Sequence, residues 1–154
     1  MLLHANAPFS GHFDGLGHTI SHLKLRLVQD PATGAKASGL FASTSANTRI
    51  RNVGLVNVSS YTAGWGNEGP VGALVGINRG AIHNSYATGN LVGNTNLGGL
   101  VGLNESTGNI HSSYFSGSAV AGNRLGGLVG VNEGSISNAY STGEVRSSAY
   151  QDLI

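Results

Sequence analysis

The chain has no cysteine, three prolines, one tryptophan and one methionine among its 154 residues. The absence of thiols excludes a disulfide framework, although it leaves secretion open. Charge is equally sparse: eight Lys and Arg stand against seven Asp and Glu, for a formal net charge of +1. The basic residues are scattered without a run, so no groove for nucleic acid is expected. No segment approaches the roughly 18 to 20 consecutive apolar residues of a membrane span, and Met1-Leu2-Leu3-His4 is too short and too quickly polar for a signal peptide. Helical periodicity is missing as well, since no window of ten or more residues carries an apolar stripe at helical spacing. Yet 40 % of the residues are apolar and only 10 % charged, which argues against disorder and for one domain with a core.

What the chain has in quantity is glycine, 25 residues with no Gly-X-Y period, and internal repetition. Three stretches are copies of one another: Val71 to Leu97, Gly98 to Leu125 and Gly126 to Gln151. Each runs from GALVGIN, GGLVGLN or GGLVGVN through a polar turn to AIHNSYATG, NIHSSYFSG or SISNAYSTG. Repetition at a fixed period takes precedence over every other signal. Leu74 to Leu100 spans 26 residues and Leu100 to Leu128 spans 28, whereas Tyr86 to Tyr114 spans 28 and Tyr114 to Tyr140 spans 26. A single insertion, Ser106-Thr107, explains both shifts and must lie in a turn. Ile20, Ile50, Ile82, Ile110 and Ile136 carry the register back through the first half, giving about five units lengthened by loops around Val28 to Ser38 and Ser59 to Pro70.

Within a unit, apolar residues alternate with small polar ones, as in Ile82-His83-Asn84-Ser85-Tyr86, which is the period of a strand. A unit of about 26 residues with two or three short strands cannot bury its own apolar face. Stacked units can, each strand pairing in parallel with its counterpart about 4.8 Å away. The expected fold is therefore all-β, a parallel β-solenoid of about five coils. Leu40, Leu74, Leu100 and Leu128 form one column, the five isoleucines a second, Tyr86, Tyr114 and Tyr140 an aromatic ladder, and Asn78, Asn104 and Asn132 a corner of stacked amides. Gly89, Gly117 and Gly143 mark another corner that needs positive φ. Either Leu100 with Gly102 or Val101 with Leu103 can point inwards; we favour Leu100.

At GGLVGLNESTGNIHSSYFSG and GGLVGVNEGSISNAYSTG the chain resembles the GLUG repeat of large bacterial surface and secreted proteins, including filamentous-haemagglutinin-like adhesins and the non-catalytic parts of some immunoglobulin A peptidases. FSGHFDGLGHTISHLKL, GLFA and TRIRNVGLVNV resemble the coils that precede such repeats. The resemblance covers about Phe9 to Val145, with Ala73 replacing the second glycine. It implies a right-handed parallel β-helix in an extracellular stalk, with no catalytic motif to transfer. The organisation expected is one solenoid domain over 1–154, with lead-in coils over 9–70 and three GLUG-type repeats over 71–151, excised from a longer protein.

Candidate chemistry is thin. Arg79, Glu105 and Glu133 share one turn position, and two carboxylates about 5 Å apart would suit a retaining glycosidase; an exposed Arg79–Glu105 ion pair beside a solvated Glu133 is the preferred reading. His18 and His22 lie about 13 Å apart on a strand and cannot share an ion. His83 and His111 stack, but the next unit has Ser137 in that column, so no metal is assigned. Asp14 caps its own turn. No cofactor is implied. The function expected is a non-catalytic structural stalk at the cell surface, flanked by further coils of its own chain and not inserted in a membrane. Recognition of a glycan or protein, centred on Tyr61, Trp65 and Glu68, is the alternative, and glycan cleavage a remoter one.

Overall fold

A computed structural model describes residues 8–27, 37–62 and 69–148. Every element within them is a strand, and all strand pairing is parallel. The three sequence copies form three successive turns of a β-solenoid, each contributing one strand to each of three sheets. The first is β7 (Val75–Asn78), β8 (Ala81–His83) and β9 (Tyr86–Gly98). Then come β10 (Val101–Asn104), β11 (Asn109–His111) and β12 (Tyr114–Gly126), followed by β13 (Val129–Asn132), β14 (Ser135–Ser137) and β15 (Tyr140–Ser147). On the N-terminal side the same sheets continue through β4 (Phe41–Ser43), β5 (Arg49–Arg51) and β6 (Gly54–Thr62), then β1 (His12–Asp14), β2 (Thr19–Ser21) and β3 (Lys24–Leu27). The strand orders are β13-β10-β7-β4, β1-β5-β8-β11-β14 and β15-β12-β9-β6-β2, with β3 also pairing β6.

Pairing is in register at the repeated residues. Ile82, Ile110 and Ile136 are partners in sequence, as are Tyr86, Tyr114 and Tyr140. Ile50 extends the isoleucine column, but Phe13, not Ile20, stands at its N-terminal end. The Gly15–Gly17 turn carries the chain into the next sheet before Ile20 is reached, and Ile20 pairs there with Leu55. Phe13 and Phe9 both lie against Phe41, with ring centroids 5.4 and 4.8 Å away, so a cluster of aromatic rings fills the N-terminal end of the core.

Strict alternation fails at GGLV, because the backbone N–H groups of Leu100 and Val101 both donate to the Leu128 carbonyl, at 2.9 and 3.1 Å. Leu74 and Val75 share the Leu100 carbonyl in the same way. Two successive side chains thereby enter the core, so Leu100 and Val101 are both fully buried. The long strands β9 and β12 bend around a corner at Gly89 and Gly117, where φ is +145° and +153°. A Cβ on Gly117 would fall onto the Gly89 carbonyl oxygen, and one on Gly143 onto that of Gly117. Glycine is thus needed there both for backbone conformation and for close approach of the next turn.

The Ser106-Thr107 insertion is an exposed turn closed by the Gly108 N–H donating to the Glu105 carbonyl at 2.7 Å. Register is intact on both sides of it, Asn104 opposite Asn132 and Asn109 opposite Ser135. Ser45 to Thr48 makes the same turn one coil further towards the N-terminus than Arg79-Gly80, with Thr48 N–H donating to Ser45 O at 3.1 Å.

The one departure from the glycine pattern has a packing cause. A Cβ at Gly99 would collide with the ring of Phe115, which is fully buried, and with the Gly127 carbonyl oxygen, whereas the residue in register with Phe115 one turn earlier is Ala87. Ala73 therefore has room that position 99 lacks. Gly99→Ala is expected to cost about 1–3 kcal/mol as an overpacking substitution, and less in a Phe115→Ala background. Denaturant unfolding of the four-variant cycle checks this; additive effects would show that the ring does not set the requirement.

Candidate functional site

Because the inner columns are taken up by packing, chemistry has to be sought at the corners and on the outer rows. The most polar buried feature is the asparagine corner. Asn78 Nδ2 donates to Asn104 Oδ1 at 2.9 Å, and Asn104 Nδ2 donates to Asn132 Oδ1 at 2.8 Å. Thr44 heads the row, its hydroxyl donating to Asn78 Oδ1 at 3.0 Å. Asn78 Nδ2 also reaches the Gly80 carbonyl, and Asn132 Nδ2 that of Gly134. An amide is both donor and acceptor, so it can repeat along a stack and still satisfy its turn. With the buried Asn78 and Asn104 amides engaged on both sides and the exposed Asn132 closing the row, these side chains hold the corner.

One residue further on, Arg79 grips Glu105 bidentately, Nε to Oε2 at 2.7 Å and a terminal nitrogen to Oε1 at 2.8 Å. Both carboxylate oxygens are occupied, and Glu133 is exposed and takes part in no ion pair among the described residues. Two carboxylates poised around a glycosidic bond are not what this row presents. Asp14 accepts from its own turn at the Leu16 N–H, from Asn52 Nδ2 and from Arg51 Nε, at 2.9, 3.0 and 2.8 Å. The Leu16 N–H first, then Asn52 and Arg51, hold its carboxyl below the usual range.

Along the outer face of the five-stranded sheet, Asp14, Arg51, His83, His111 and Ser137 share one row. The two imidazoles stack with centroids 5.0 Å apart and planes 14° from parallel. On the neighbouring sheet Tyr86, Tyr114 and Tyr140 stack at 4.9 and 5.1 Å, within 5° of parallel. A Cβ at Gly54 would strike the Tyr86 ring, so the ladder starts by covering a glycine. Tyr114 is covered by a ring on each face, which suits stability, whereas Tyr140 ends the ladder and is 56 % exposed.

Of the proposed recognition residues, Tyr61 lies on β6 and is 69 % exposed; Trp65 and Glu68 lie outside the described residues. Sequence reasoning missed the second left-handed corner, at Asn52, Asn84, Ser112 and Asn138, with φ between 47° and 56°. Its signal was present in IRNV, IHNS, IHSS and ISNA, since asparagine is the residue best able to replace glycine there. It also missed Ser85 and Ser113, buried hydroxyls that donate to the His83 and His111 carbonyls at 2.9 Å.

Comparison with known proteins agrees with this geometry. The GLUG motif matches residues 93–120 and 121–146. Gly93 and Ala121, which open the two matches, are register partners, so one motif is one turn of the solenoid. Its boundaries fall at a different point of the turn from those of the repeats at Gly98 and Gly126, with the same period. Over 141 residues the chain is 45 % identical to halomucin of Haloquadratum walsbyi. That stretch takes in 92 % of this chain and about 1 % of halomucin. No solved structure matches the chain.

Burial raises the Tyr114 phenol above its ordinary value near 10, and ionised Tyr86 and Tyr140 would raise it further. A group with a raised folded value lends stability that is complete below its unfolded value and is lost as pH climbs through the folded one. Stability should therefore fall as pH rises beyond about 10, and fall less steeply in Tyr114→Phe. Denaturant midpoints measured at stepped alkaline pH test this; identical slopes in the two proteins would remove Tyr114 from the account.

Proposed function

We propose that this chain is a stiff, non-catalytic stalk segment of a secreted or cell-surface protein of the adhesin type, winding right-handed through about five coils. The observation that carries the proposal is the in-register pairing from β7–β9 to β13–β15, continued through β4–β6 with one register shift between Leu55 and Val58. Opening one turn breaks backbone bonds to two neighbours at once, which favours resistance to unfolding and to proteases over adaptability. The GLUG motif and the likeness to a protein named halomucin support an extracellular, structural setting. The filamentous-haemagglutinin-like resemblance and the count of about five coils, which includes the strands before β7, belong to this proposal.

A second reading has one observation in its favour. Tyr61 is a large aromatic ring left in solvent on a strand that is paired on both sides, and Trp65 and Glu68 follow it in the sequence. Such a cluster suits recognition of a glycan or a protein surface, since Tyr and Trp lose little side-chain entropy on binding. Glycan cleavage is disfavoured by the bidentate occupation of Glu105.

A single comparison separates the readings. Wild-type protein, the Glu105→Gln/Glu133→Gln double variant and Tyr61→Ala are assayed for glycan turnover and for binding on a glycan array. The stalk proposal expects no turnover, and any binding to change by no more than ~1 kcal/mol in the double variant, the scale of a solvent-screened ion pair for the half-buried Arg79 and Glu105. Turnover abolished by the double variant would replace the stalk with an enzyme. Binding lost in Tyr61→Ala would establish recognition in that region.

A further inference from the structure

We propose that His83 and His111 form a two-imidazole site for a divalent transition-metal ion, copper(II) above all, on the outer face of the five-stranded sheet. Parallel pairing of β8 with β11 fixes the two residues opposite one another, and their rings stack 5.0 Å apart. Neither residue is needed by the core: His83 is exposed and His111 half-buried, while Ile82 and Ile110 between the outer rows are fully buried.

The surroundings favour ligation in two respects. His111 Nδ1 lies 2.8 Å from the Ser137 hydroxyl. A ligating imidazole characteristically has its other ring nitrogen held by such an outer partner, which fixes ring orientation and leaves Nε2 to the ion. The nearest cation in the row, Arg51, is drawn towards Asp14 at 2.8 Å, so its charge is balanced beside His83. Two imidazoles on one ion at about 2.0 Å must bring their coordinating nitrogens close together, and exposure leaves the His83 ring free to tilt towards its neighbour.

The donor set selects the ion. No group of three His, Cys, Asp or Glu that could hold a metal exists among the described residues, whereas structural zinc takes four protein ligands and catalytic zinc three. Copper(II) and nickel(II) accept planar nitrogen and oxygen sets completed by water, and copper(II) binds most tightly of the divalent series.

The test is a calorimetric titration of the chelator-treated protein with copper(II), with the electron paramagnetic resonance spectrum recorded at one equivalent. One ion per chain with imidazole nitrogen in its coordination sphere is expected. His83→Asn and His111→Asn should each weaken binding at least about tenfold, because either leaves a single imidazole. His12→Asn should leave it unchanged. Ser137→Ala should weaken it as well, by removing the hydroxyl that holds His111 Nδ1. Thermal melts without metal, expected to be alike for all four variants, separate loss of ligand from loss of fold. Absence of copper binding, or binding indifferent to both His83→Asn and His111→Asn, would overturn the proposal.

Discussion

Everything in this molecule depends on parallel backbone pairing between positions one turn apart. Once the Leu100 N–H donates to the Leu128 carbonyl and the Leu74 N–H to that of Leu100, each side chain must lie beside the side chain at its own position in the next turn. A residue type is acceptable in such a column only if it is compatible with a copy of itself. Amides are, because they donate on one side and accept on the other; flat rings are, because they stack; aliphatic groups are, because they exclude water together. Like charges are not, since at about 4 Å they repel by roughly 1 kcal/mol even in water. The low charge of the chain and the Arg79–Glu105 pair follow from that rule, and Glu133, next in the row after Glu105, lies exposed to solvent.

The same rule explains how much was legible in the sequence. The columns of isoleucine, tyrosine and asparagine could be read from spacing alone, because in-register stacking turns a sequence period into a spatial neighbour. The Ser106-Thr107 turn was legible for the same reason. Less legible was whatever depends on three-dimensional packing within one turn. That Phe13 and not Ile20 heads the isoleucine column depends on where the Gly15–Gly17 turn releases the chain. Leu100 and Val101 are both buried because two N–H groups share one carbonyl, which no alternation pattern reveals. Ala73 is permitted, and Gly99 required, by the size of the residue that lies across the turn, Ala87 in one case and Phe115 in the other.

For function, the rule restricts where chemistry can reside. Inner columns are filled by aliphatic and aromatic side chains, and the buried corner is consumed by amides that satisfy one another. What remains is the set of outer rows, in which stacking still sets neighbours but leaves atoms free. Carboxylates in those rows are either bound by arginine, as Glu105 is, or solvated, as Glu133 is. The histidine row differs because two ring nitrogens can be left uncommitted side by side. A solenoid that is chemically quiet inside and patterned outside is consistent with the GLUG motif repeating turn by turn and with the likeness to a short stretch of halomucin.

Because the chain has no cysteine of its own, its register can be tested with paired thiols. Asn90 and Ser118 are exposed or half-exposed partners on β9 and β12, the Ser118 hydroxyl donating to Asn90 Oδ1 at 2.9 Å. Cysteines at both positions should oxidise to an intrachain disulfide readily, since partners about 4.8 Å apart lie within the span a disulfide bridges. A pair displaced by two residues, Asn90→Cys with Val120→Cys, should remain reduced under the same conditions. Efficient bridging of the displaced pair, or failure of the in-register one in a folded protein, would contradict the stacking on which the whole account rests.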